Sequence, residues 1–496
     1  MSLYSLPLCS ARITLLLGFF LIQNFLYSQS LYQGPAFGSI NGGIIVSTDN
    51  FSDNSGAIRQ ESPRSVFRPQ GIILPGSLID DQYDKSSASA PLRSNEIHDP
   101  AFSLFPKQSI HSPAVIIDFE GTRRPLPGWT PPDPHIAAGP NHLVIVDNGR
   151  FIIFDKQGNR VKEIYAHVWF GTLVPGSSPF DCQIFYDHFA HRWVQEWLIF
   201  NTTTSTSYWL ISVSDDDNPV GYWRNYAFPC HMNGSVNVAN WGDYPKIGYD
   251  QQALYISARQ LNFTSNYFYY SKLRIISKSQ LYDFNSTLIE FRDFWDFRVP
   301  GDSALIIDGP LIPAVHYDST ETAYLVVDSP YSTSNFITLW QISDPLGNNP
   351  IVSADNIPIT ASLTPPNATQ QGGSTLIFSD RRRYRNAVVR NGCLWTANSV
   401  AGGSGNQYAF LHYLRLDLTA LSVIEDIAFG TDGSHYIYPA VSVDEDENLF
   451  LAFTRSGNLE HASAAFTGRR ASDPAGLSPS SLLKAGEAYY DVPDPD

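Results

Sequence analysis

Residues 244–250 read Tyr-Pro-Lys-Ile-Gly-Tyr-Asp, and a second apolar stretch, Leu-Tyr-Ile-Ser, follows at residues 254–257. Nearly the same phrase returns as Ile-Pro-Ala-Val-His-Tyr-Asp at residues 312–318 and as Tyr-Pro-Ala-Val-Ser-Val-Asp at residues 438–444. Apolar residues alternate up to the aspartate, whose side chain can bond the backbone two residues on and start a turn. The β-branched or aromatic run that follows suits a partner strand. Each phrase therefore predicts a strand, a turn and a second strand.

Looser copies of this phrase begin at residues 135, 182 and 386. The turn residues of the six copies are Pro140, Asp187, Asp250, Asp318, Asn391 and Asp444. They lie 47 to 73 residues apart, which suits a four-stranded blade with loops of different lengths. We therefore predict an all-β fold, a β-propeller of six four-stranded blades, or seven in a complete chain. An array of two-sheet sandwiches is the alternative, but it would not need the same phrase six times.

A propeller must also close its ring. Two alternatives follow from the sequence: an N-terminal strand near Val115–Phe119 completes the last blade, or the chain is cut short before closure.

Composition excludes several classes of protein. The chain has 496 residues, a net charge of −16, 16% charged residues and 13% aromatic residues. A general nucleic-acid binder needs a basic surface, and so does a protein that docks on an anionic membrane, so we expect neither partner. Ala, Leu, Glu and Lys do not dominate, which disfavours a helical bundle.

The N-terminal region predicts an exported protein. Arg12 precedes an apolar run at residues 13–22, and the small residues Ser28 and Ser30 suit a cleavage site, so residues 1–30 are predicted to be a signal peptide. A membrane anchor is the alternative, but the run is too short to span a bilayer. Residues 31–114 are predicted to be a disordered, low-complexity leader or linker with one short strand at Gly43–Ser47, and residues 115–496 the propeller domain. We expect no transmembrane segment in the mature chain, secretion or a cell-surface location, and a monomer.

The cysteines permit two interpretations. Cys9 would leave with the signal peptide, and Cys182, Cys230 and Cys393 remain. In an oxidising compartment Cys182 and Cys230 could form a disulfide, whereas the alternative is three buried small hydrophobic residues. No Cys-x-x-Cys pair exists, so a zinc site is not indicated.

Several stretches together resemble a family of large secreted bacterial β-propeller proteins. These are residues 131–142, 151–156, 186–193, 212–221, 241–245, 277–282 and 390–395. The resemblance covers roughly residues 115–490 and implies a sialidase-like fold, with no assigned reaction in most members. Members often continue into another blade that opens with Trp-Gly-Asp-Tyr, whereas this sequence stops at Asp496, which favours a missing C-terminus and a seventh blade in the complete protein.

The candidate ligand site follows from the position of three carboxylates. Asp133, Asp181 and Asp243 each lie next to the first repeat strand of a unit, so they are expected to face one mouth of the channel. Converging carboxylates could hold Ca²⁺, or a cationic or sugar ligand; the alternative is that each caps its own turn. Trp241 could stack a sugar ring, although core packing is the simpler use of this residue, as for Trp209 and Trp340.

Arg383 completes the candidate site, within the Arg-rich run at residues 381–385. A sialidase grips its substrate carboxylate with arginines from separate blades, so a run on one segment fits a solvated loop or a grip on a neighbouring blade better.

Two functional hypotheses remain at this stage. The favoured one is a binding or interaction module for an extracellular glycan or protein, without a certain cofactor and with Ca²⁺ as the candidate ion. The alternative is a sialidase-like glycoside hydrolase or another polysaccharide-degrading enzyme. An enzyme should present a carboxyl pair or a Tyr–Glu pair in one cleft with a perturbed pKa.

Overall fold

The fold was determined from a computed structural model, which describes residues 30–51, 96–99, 114–122, 132–171, 173–174 and 178–490. The predicted signal peptide and most of the predicted leader lie outside these residues. In the part of the chain that is described, no helix is long and apolar enough to cross a membrane.

Among the described residues before position 132, three strands precede the blades. They are β1 (Gln33–Asn41), β2 (Ile44–Ser47) and β3 (Glu96–His98).

Six four-stranded antiparallel sheets follow one another along the chain. Blade 1 consists of β4 (His135–Ala138), β5 (His142–Asp147), β6 (Arg150–Asp155) and β7 (Arg160–Tyr165). Blade 2 consists of β8 (Phe180–Asp187), β9 (Arg192–Asn201), β10 (Thr206–Ser214) and β11 (Tyr222–Pro229). A hairpin of β12 (Met232–Asn233) and β13 (Val236–Asn237) leads to blade 3, which consists of β14 (Asn240–Tyr249), β15 (Ala253–Asn262), β16 (Phe268–Ser277) and β17 (Leu288–Trp295).

The second half of the ring repeats this plan. A hairpin of β18 (Arg298–Val299) and β19 (Asp302–Ile306) leads to blade 4, with β20 (Ile312–His316), β21 (Thr322–Asp328), β22 (Thr333–Ser343) and β23 (Ile351–Leu363). Blade 5 consists of β24 (Ala387–Arg390), β25 (Cys393–Gly402), β26 (Tyr408–Asp417) and β27 (Ser422–Gly430). Blade 6 consists of β28 (Ser434–Val443), β29 (Leu449–Gly457), β30 (Glu460–Arg469) and β31 (Ser481–Lys484).

Helices are short. They are α1 (Ala166–Trp169), α2 (Lys278–Leu281) and the 3₁₀ turns Thr48–Asn50 and Ser404–Asn406. The predicted six-bladed propeller is therefore confirmed.

The N-terminal strands correct the expected leader. β1 pairs antiparallel with β17, β2 pairs antiparallel with β11, and β3 pairs parallel with β27, so each adds a fifth strand at the outer edge of a blade. The strand expected at Gly43–Ser47 is present as β2, but β1 and β3 were predicted as leader. Most of β1 is exposed or half-buried, because its hydrogen bonds and not an apolar face attach it to the sheet.

Large apolar clusters fill the junctions between neighbouring blades. Separate clusters join blades 1 and 2, 2 and 3, 3 and 4, 4 and 5, and 5 and 6. Within the described ranges, no such cluster contains residues of both blade 6 and blade 1. The proposed closing strand near Val115–Phe119 is wrong, because β31 provides the fourth strand of blade 6 and Phe119 packs on Phe154 of blade 1, with ring centroids 5.2 Å apart.

A pair of substitutions in blade 6 tests whether the face that points away from blade 5 is covered. Phe450 is 40% exposed, whereas Phe453 on the same strand faces blade 5 and is 5% exposed. Phe450→Leu is expected to change the free energy of unfolding by no more than about 0.5 kcal/mol. The matched change Phe453→Leu leaves a cavity and should cost about 1–2 kcal/mol. Urea denaturation of both variants measures the difference, and equal losses would mean that blade 6 is covered on both faces.

The predicted disulfide is wrong. Cys182, Cys230 and Cys393 are all free thiols and all buried, which is the alternative interpretation. Cys182 lies on the innermost strand of blade 2, whereas Cys230 directly follows the fourth strand. Two strands separate them, and three spacings of about 4.8 Å place them about 14 Å apart, beyond the Cα–Cα reach of about 7 Å for a disulfide.

Candidate functional site

The innermost strands of blades 3, 4 and 5 begin at the same end of the ring. β14 runs parallel to β20, and β20 runs parallel to β24, so their N-terminal residues gather on one side. We call this end the channel mouth. We assign to it the residues that contact or face one another near these strand starts: Asp133, Asp181, Asp243, Tyr244, Lys246, Arg259, Asp308, Asp380, Arg383, Arg385 and Tyr438.

Backbone conformation is unusual at this end. Asp133, Asp181, Tyr244 and Tyr438 have φ values of 42°, 50°, 51° and 57°, in the left-handed region. Asp380 is a further example, with φ of 58°. For residues with a Cβ this conformation costs about 1–2 kcal/mol each. Such strained residues concentrate at functional sites, because the surrounding structure must hold them in place.

A hydrogen-bond chain links the first three blades at the mouth. Asn148 Nδ2 donates to Asp133 Oδ2 at 3.0 Å, and the backbone N–H of Asp181 donates to Asn148 Oδ1 at 2.6 Å. The backbone N–H of Tyr244 donates to Asp181 Oδ2 at 3.3 Å. The structure therefore brings Asp133 and Asp181 to one place, as the sequence suggested.

Cationic side chains compensate the predicted acidic cluster. Lys246 is buried, and burial lowers the pKa of its ammonium group while Asp133, Asp181 and Asp380 oppose that shift. Arg259 lies 3.8 Å from Asp243 and 3.4 Å from Asp308.

This arrangement corrects the calcium hypothesis for Asp133, Asp181 and Asp243. Nowhere in the described residues do three or more His, Cys, Asp or Glu side chains form a group that could hold a metal ion. An ammonium and a guanidinium group face the carboxylates where a divalent cation was expected.

Arginines from the start of blade 5 reach across the mouth. Arg385 lies 2.7 Å and Arg383 3.5 Å from Asp380. The Arg385 guanidinium also lies over the rings of Tyr244 and Tyr438, 5.4 Å and 4.6 Å from their centroids, and so connects blades 3, 5 and 6. The side chains of Arg383 and Arg385 remain 23% and 22% exposed.

Arg382 has a different role from its neighbours. It is buried, its Nε donates to Asp328 at 3.0 Å, and its guanidinium donates to backbone carbonyls of blade 4 such as Ser329 O at 3.2 Å. Within the Arg-rich run, Arg382 therefore binds the neighbouring blade, whereas Arg383 stays partly exposed at the mouth. The sequence had left both possibilities open, a contact with a neighbouring blade and a solvated loop.

Trp241 does not belong to the site. It is 5% exposed and packs on Phe200 in the junction between blades 2 and 3, with ring centroids 5.1 Å apart. Trp209 and Trp340 are buried as well. All three tryptophans are therefore core residues, as in the alternative interpretation, because their side chains face a neighbouring blade.

Glu196 was not recognised in the sequence. It is fully buried on β9, opposite Gln183, and neither carboxyl oxygen has a hydrogen-bond partner among the described residues. Burial, and then the charge of Asp181, raises the pKa of Glu196 well above its ordinary value, against the opposing charge of Lys246. A raised pKa is typical of a general acid, but this carboxyl is shielded from solvent and cannot meet a substrate.

A Tyr–Glu pair exists elsewhere, in the interior. Tyr413 Oη donates to Glu425 Oε2 at 2.7 Å, and Arg469 forms an ion pair with Glu425. Tyr413 is fully buried, and burial together with the Glu425 charge raises its pKa. A tyrosine nucleophile needs the opposite shift and access to substrate, so this pair is structural.

Comparison with known proteins gives similarity of fold only. No protein-family model matches the chain, and no curated protein matches it in sequence. The β-propeller domain of the trilobed protease from Pyrococcus furiosus is 9% identical over 70% of this chain and 94% of that chain, with a TM-score of 0.32. A Trypanosoma rangeli sialidase mutant with trans-sialidase activity is 11% identical over 71% of this chain and 56% of that chain, with a TM-score of 0.35. A subtype N11 neuraminidase-like protein of A/flat-faced bat/Peru/033/2010 is 9% identical over 57% of this chain and 70% of that chain, with a TM-score of 0.31.

Proposed function

We propose that this protein is a secreted or cell-surface β-propeller binding module whose ligand is an acidic glycan held at the channel mouth. The observation that carries the proposal is the convergence of partly exposed arginines and tyrosines from blades 3, 5 and 6 on strained backbone. Arg383 and Arg385 are held by Asp380, and Arg385 is also held by the two tyrosine rings, so the guanidinium groups are positioned before a ligand arrives. Preorganised guanidinium groups suit carboxylates.

A binding role is favoured over hydrolase activity because the candidate catalytic groups are closed to solvent. Glu196 and Tyr413 are both fully buried, so neither the carboxyl group with the raised pKa nor the tyrosine of the Tyr413–Glu425 pair is open to solvent. Secretion rests on the charged, apolar and small-residue order of residues 1–30 and on the resemblance to secreted bacterial propellers. N-terminal sequencing of the protein recovered from the culture medium of its host tests that part.

Binding is best tested with one glycan in two charge states. The probe is a tetramer of galacturonic acid, and the control ligand is the same tetramer with methyl-esterified carboxyl groups. Calorimetric titration of the full chain should detect the acid and give at least about tenfold weaker binding of the ester, because charge-assisted hydrogen bonds contribute about 1.5–3 kcal/mol.

The variant Arg383→Ala is expected to weaken binding of the acid about tenfold. Arg298→Ala is the matched control, because Arg298 is 24% exposed and also forms an ion pair, 2.7 Å from Asp296, but lies in the β18–β19 hairpin. Equal binding of acid and ester, or equal losses in both variants, would contradict the proposal. Mass spectrometry of the probe after incubation would reveal shortened products if the protein were a hydrolase or lyase.

A further inference from the structure

A second candidate site lies at the outer strands of blade 3. A cavity of about 450 Å³ opens there between β1, the β12–β13 hairpin, and β16 and β17. Its lining includes Ala36, Asn233, Val236, Tyr269, Tyr270 and Trp295. Tyr269 and Tyr270 belong to the third strand and Trp295 to the fourth, and the lining also includes Asn240, the first residue of the inner strand β14. None of the lining residues belongs to the channel mouth as defined above.

Aromatic surface dominates this cavity. Tyr269 is 46% exposed, Val236 is 63% exposed, and Trp295 is half-buried. Tyr269 and Trp295 both line the cavity, and aromatic rings side by side favour flat, partly apolar ligands.

Three polar groups, those of Asn233, Asn240 and Tyr270, accompany the aromatic surface. Asn233 is 5% exposed, and its Nδ2 donates to Tyr270 Oη at 3.0 Å. The carbonyl oxygen of the same amide has no hydrogen-bond partner in the described residues. An unsatisfied buried acceptor costs about 1–3 kcal/mol, and a ligand that brings a donor removes that cost. Tyr270 Oη accepts from Asn233 Nδ2 and also lies 3.3 Å from the side-chain amide of Asn240.

The lining also restricts the charge of the ligand. It contains no Asp, Glu, Lys, Arg or His side chain, so nothing in the cavity compensates an ionised group. A purely apolar ligand would leave Asn233 Oδ1 unpaired. Sugar rings meet both conditions, because one face presents C–H groups to an aromatic ring while the hydroxyl groups donate and accept hydrogen bonds.

We propose that this cavity binds a neutral pyranose residue of a glycan, with the Tyr269 ring against the sugar face and Asn233 Oδ1 as acceptor for a sugar hydroxyl. The site is independent of the acidic-glycan site at the channel mouth, and uses neither its arginines nor its strained residues. Part of its wall, Ala36, comes from β1, so the N-terminal strand contributes to ligand binding as well as to blade 3.

The test uses three neutral tetrasaccharides, of β-1,4-glucose, β-1,4-galactose and β-1,4-mannose units, titrated into the full chain and followed by saturation-transfer NMR and calorimetry. At least one is expected to bind, and Tyr269→Ala is expected to weaken that binding at least about tenfold. Tyr267→Ala is the matched control, since Tyr267 is 40% exposed and lies two residues away but does not line the cavity. It should change the affinity less than about twofold.

Two further measurements separate this site from the mouth. Arg383→Ala should leave binding of the neutral tetrasaccharide unchanged, and Tyr269→Ala should leave binding of the galacturonic acid tetramer unchanged. Thermal unfolding of Tyr269→Ala and Tyr267→Ala is measured as a control. Similar unfolding midpoints would show that both variants are folded. Absence of binding by all three tetrasaccharides, or equal losses in the two tyrosine variants, would overturn the proposal.

Discussion

Replacement of Asp293 by alanine is expected to lower the free energy of unfolding by about 3–5 kcal/mol. Asp293 lies between two cations at the core of blade 3, and all three side chains are fully buried. Arg274 donates to both carboxylate oxygens at 2.7 Å, and Lys272 lies 3.4 Å away. Burial alone would raise the pKa of Asp293, but Arg274 and Lys272 outweigh it, so the pKa lies below its ordinary value.

The large effect follows from the two charges that would remain. Without Asp293 the guanidinium of Arg274 stays buried against the Phe291 ring, 3.6 Å from its centroid, with no counter-ion on the neighbouring strand. Lys272 can lose its proton, since burial has already lowered its pKa to about 8, but arginine cannot. The backbone N–H of Gly234, which donates to Asp293 at 2.8 Å, would also lose its acceptor.

Urea denaturation with the fitted m-value measures this loss. Asp296→Ala is the control, because Asp296 forms an ion pair with Arg298 at 2.7 Å while both side chains are partly exposed. That pair should contribute no more than about 1 kcal/mol. A loss below about 1 kcal/mol for Asp293→Ala would show that the buried cations reach solvent or another anion.

Sequence periodicity was enough to predict the blades, because the phrase around residues 244–250 carries both the apolar alternation and the turn residue. The same phrase contains Tyr244, whose left-handed conformation helps to form the mouth. The strained conformation itself has no signature in one sequence, since tyrosine rarely adopts it.

Edge strands were the weakest part of the prediction. β1 has five residues that are Gly, Pro, Ser or Asn among nine, a composition typical of turns, and yet it pairs with β17 over most of its length. Backbone hydrogen bonds hold it, and they depend on partners 247 to 262 positions away in the chain. The cavity wall at Ala36 could therefore not be anticipated.

The sequence predicted that Asp133 and Asp181 lie close together, but not which charges surround them. Asp133 and Asp181 do meet at the mouth, but the sequence did not show that Lys246 from blade 3 would face them. The proposed role of Trp241 in sugar binding was wrong because alternate residues of a strand face opposite sides. The repeat did not reveal that the Trp241 side chain lies on the side that meets blade 2.

Glu196 predicts a strong pH dependence of stability. Its pKa in the folded protein is raised well above the ordinary value, mainly by burial and then by Asp181. The folded state therefore holds this proton at a pH where the unfolded state has released it. Stability is highest below the unfolded pKa of about 4.3 and falls as pH rises, by up to about 1.4 kcal/mol per pH unit, until the folded pKa is passed.

Glu196→Gln removes that titration and keeps the size of the side chain. Between pH 5 and pH 7 its stability relative to the native protein should therefore increase, because the native protein loses stability over this range and the variant does not. Glu163→Gln is a useful comparison, since Glu163 is also buried but accepts from Arg150 at 3.0 Å and Arg160 at 2.8 Å, and so its loss should destabilise the protein. Urea denaturation at both pH values gives the four free energies. If Glu196→Gln and the native protein changed in parallel with pH, Glu196 would have to be ionised in the folded state, and Lys246 would then be the counter-ion that holds its charge.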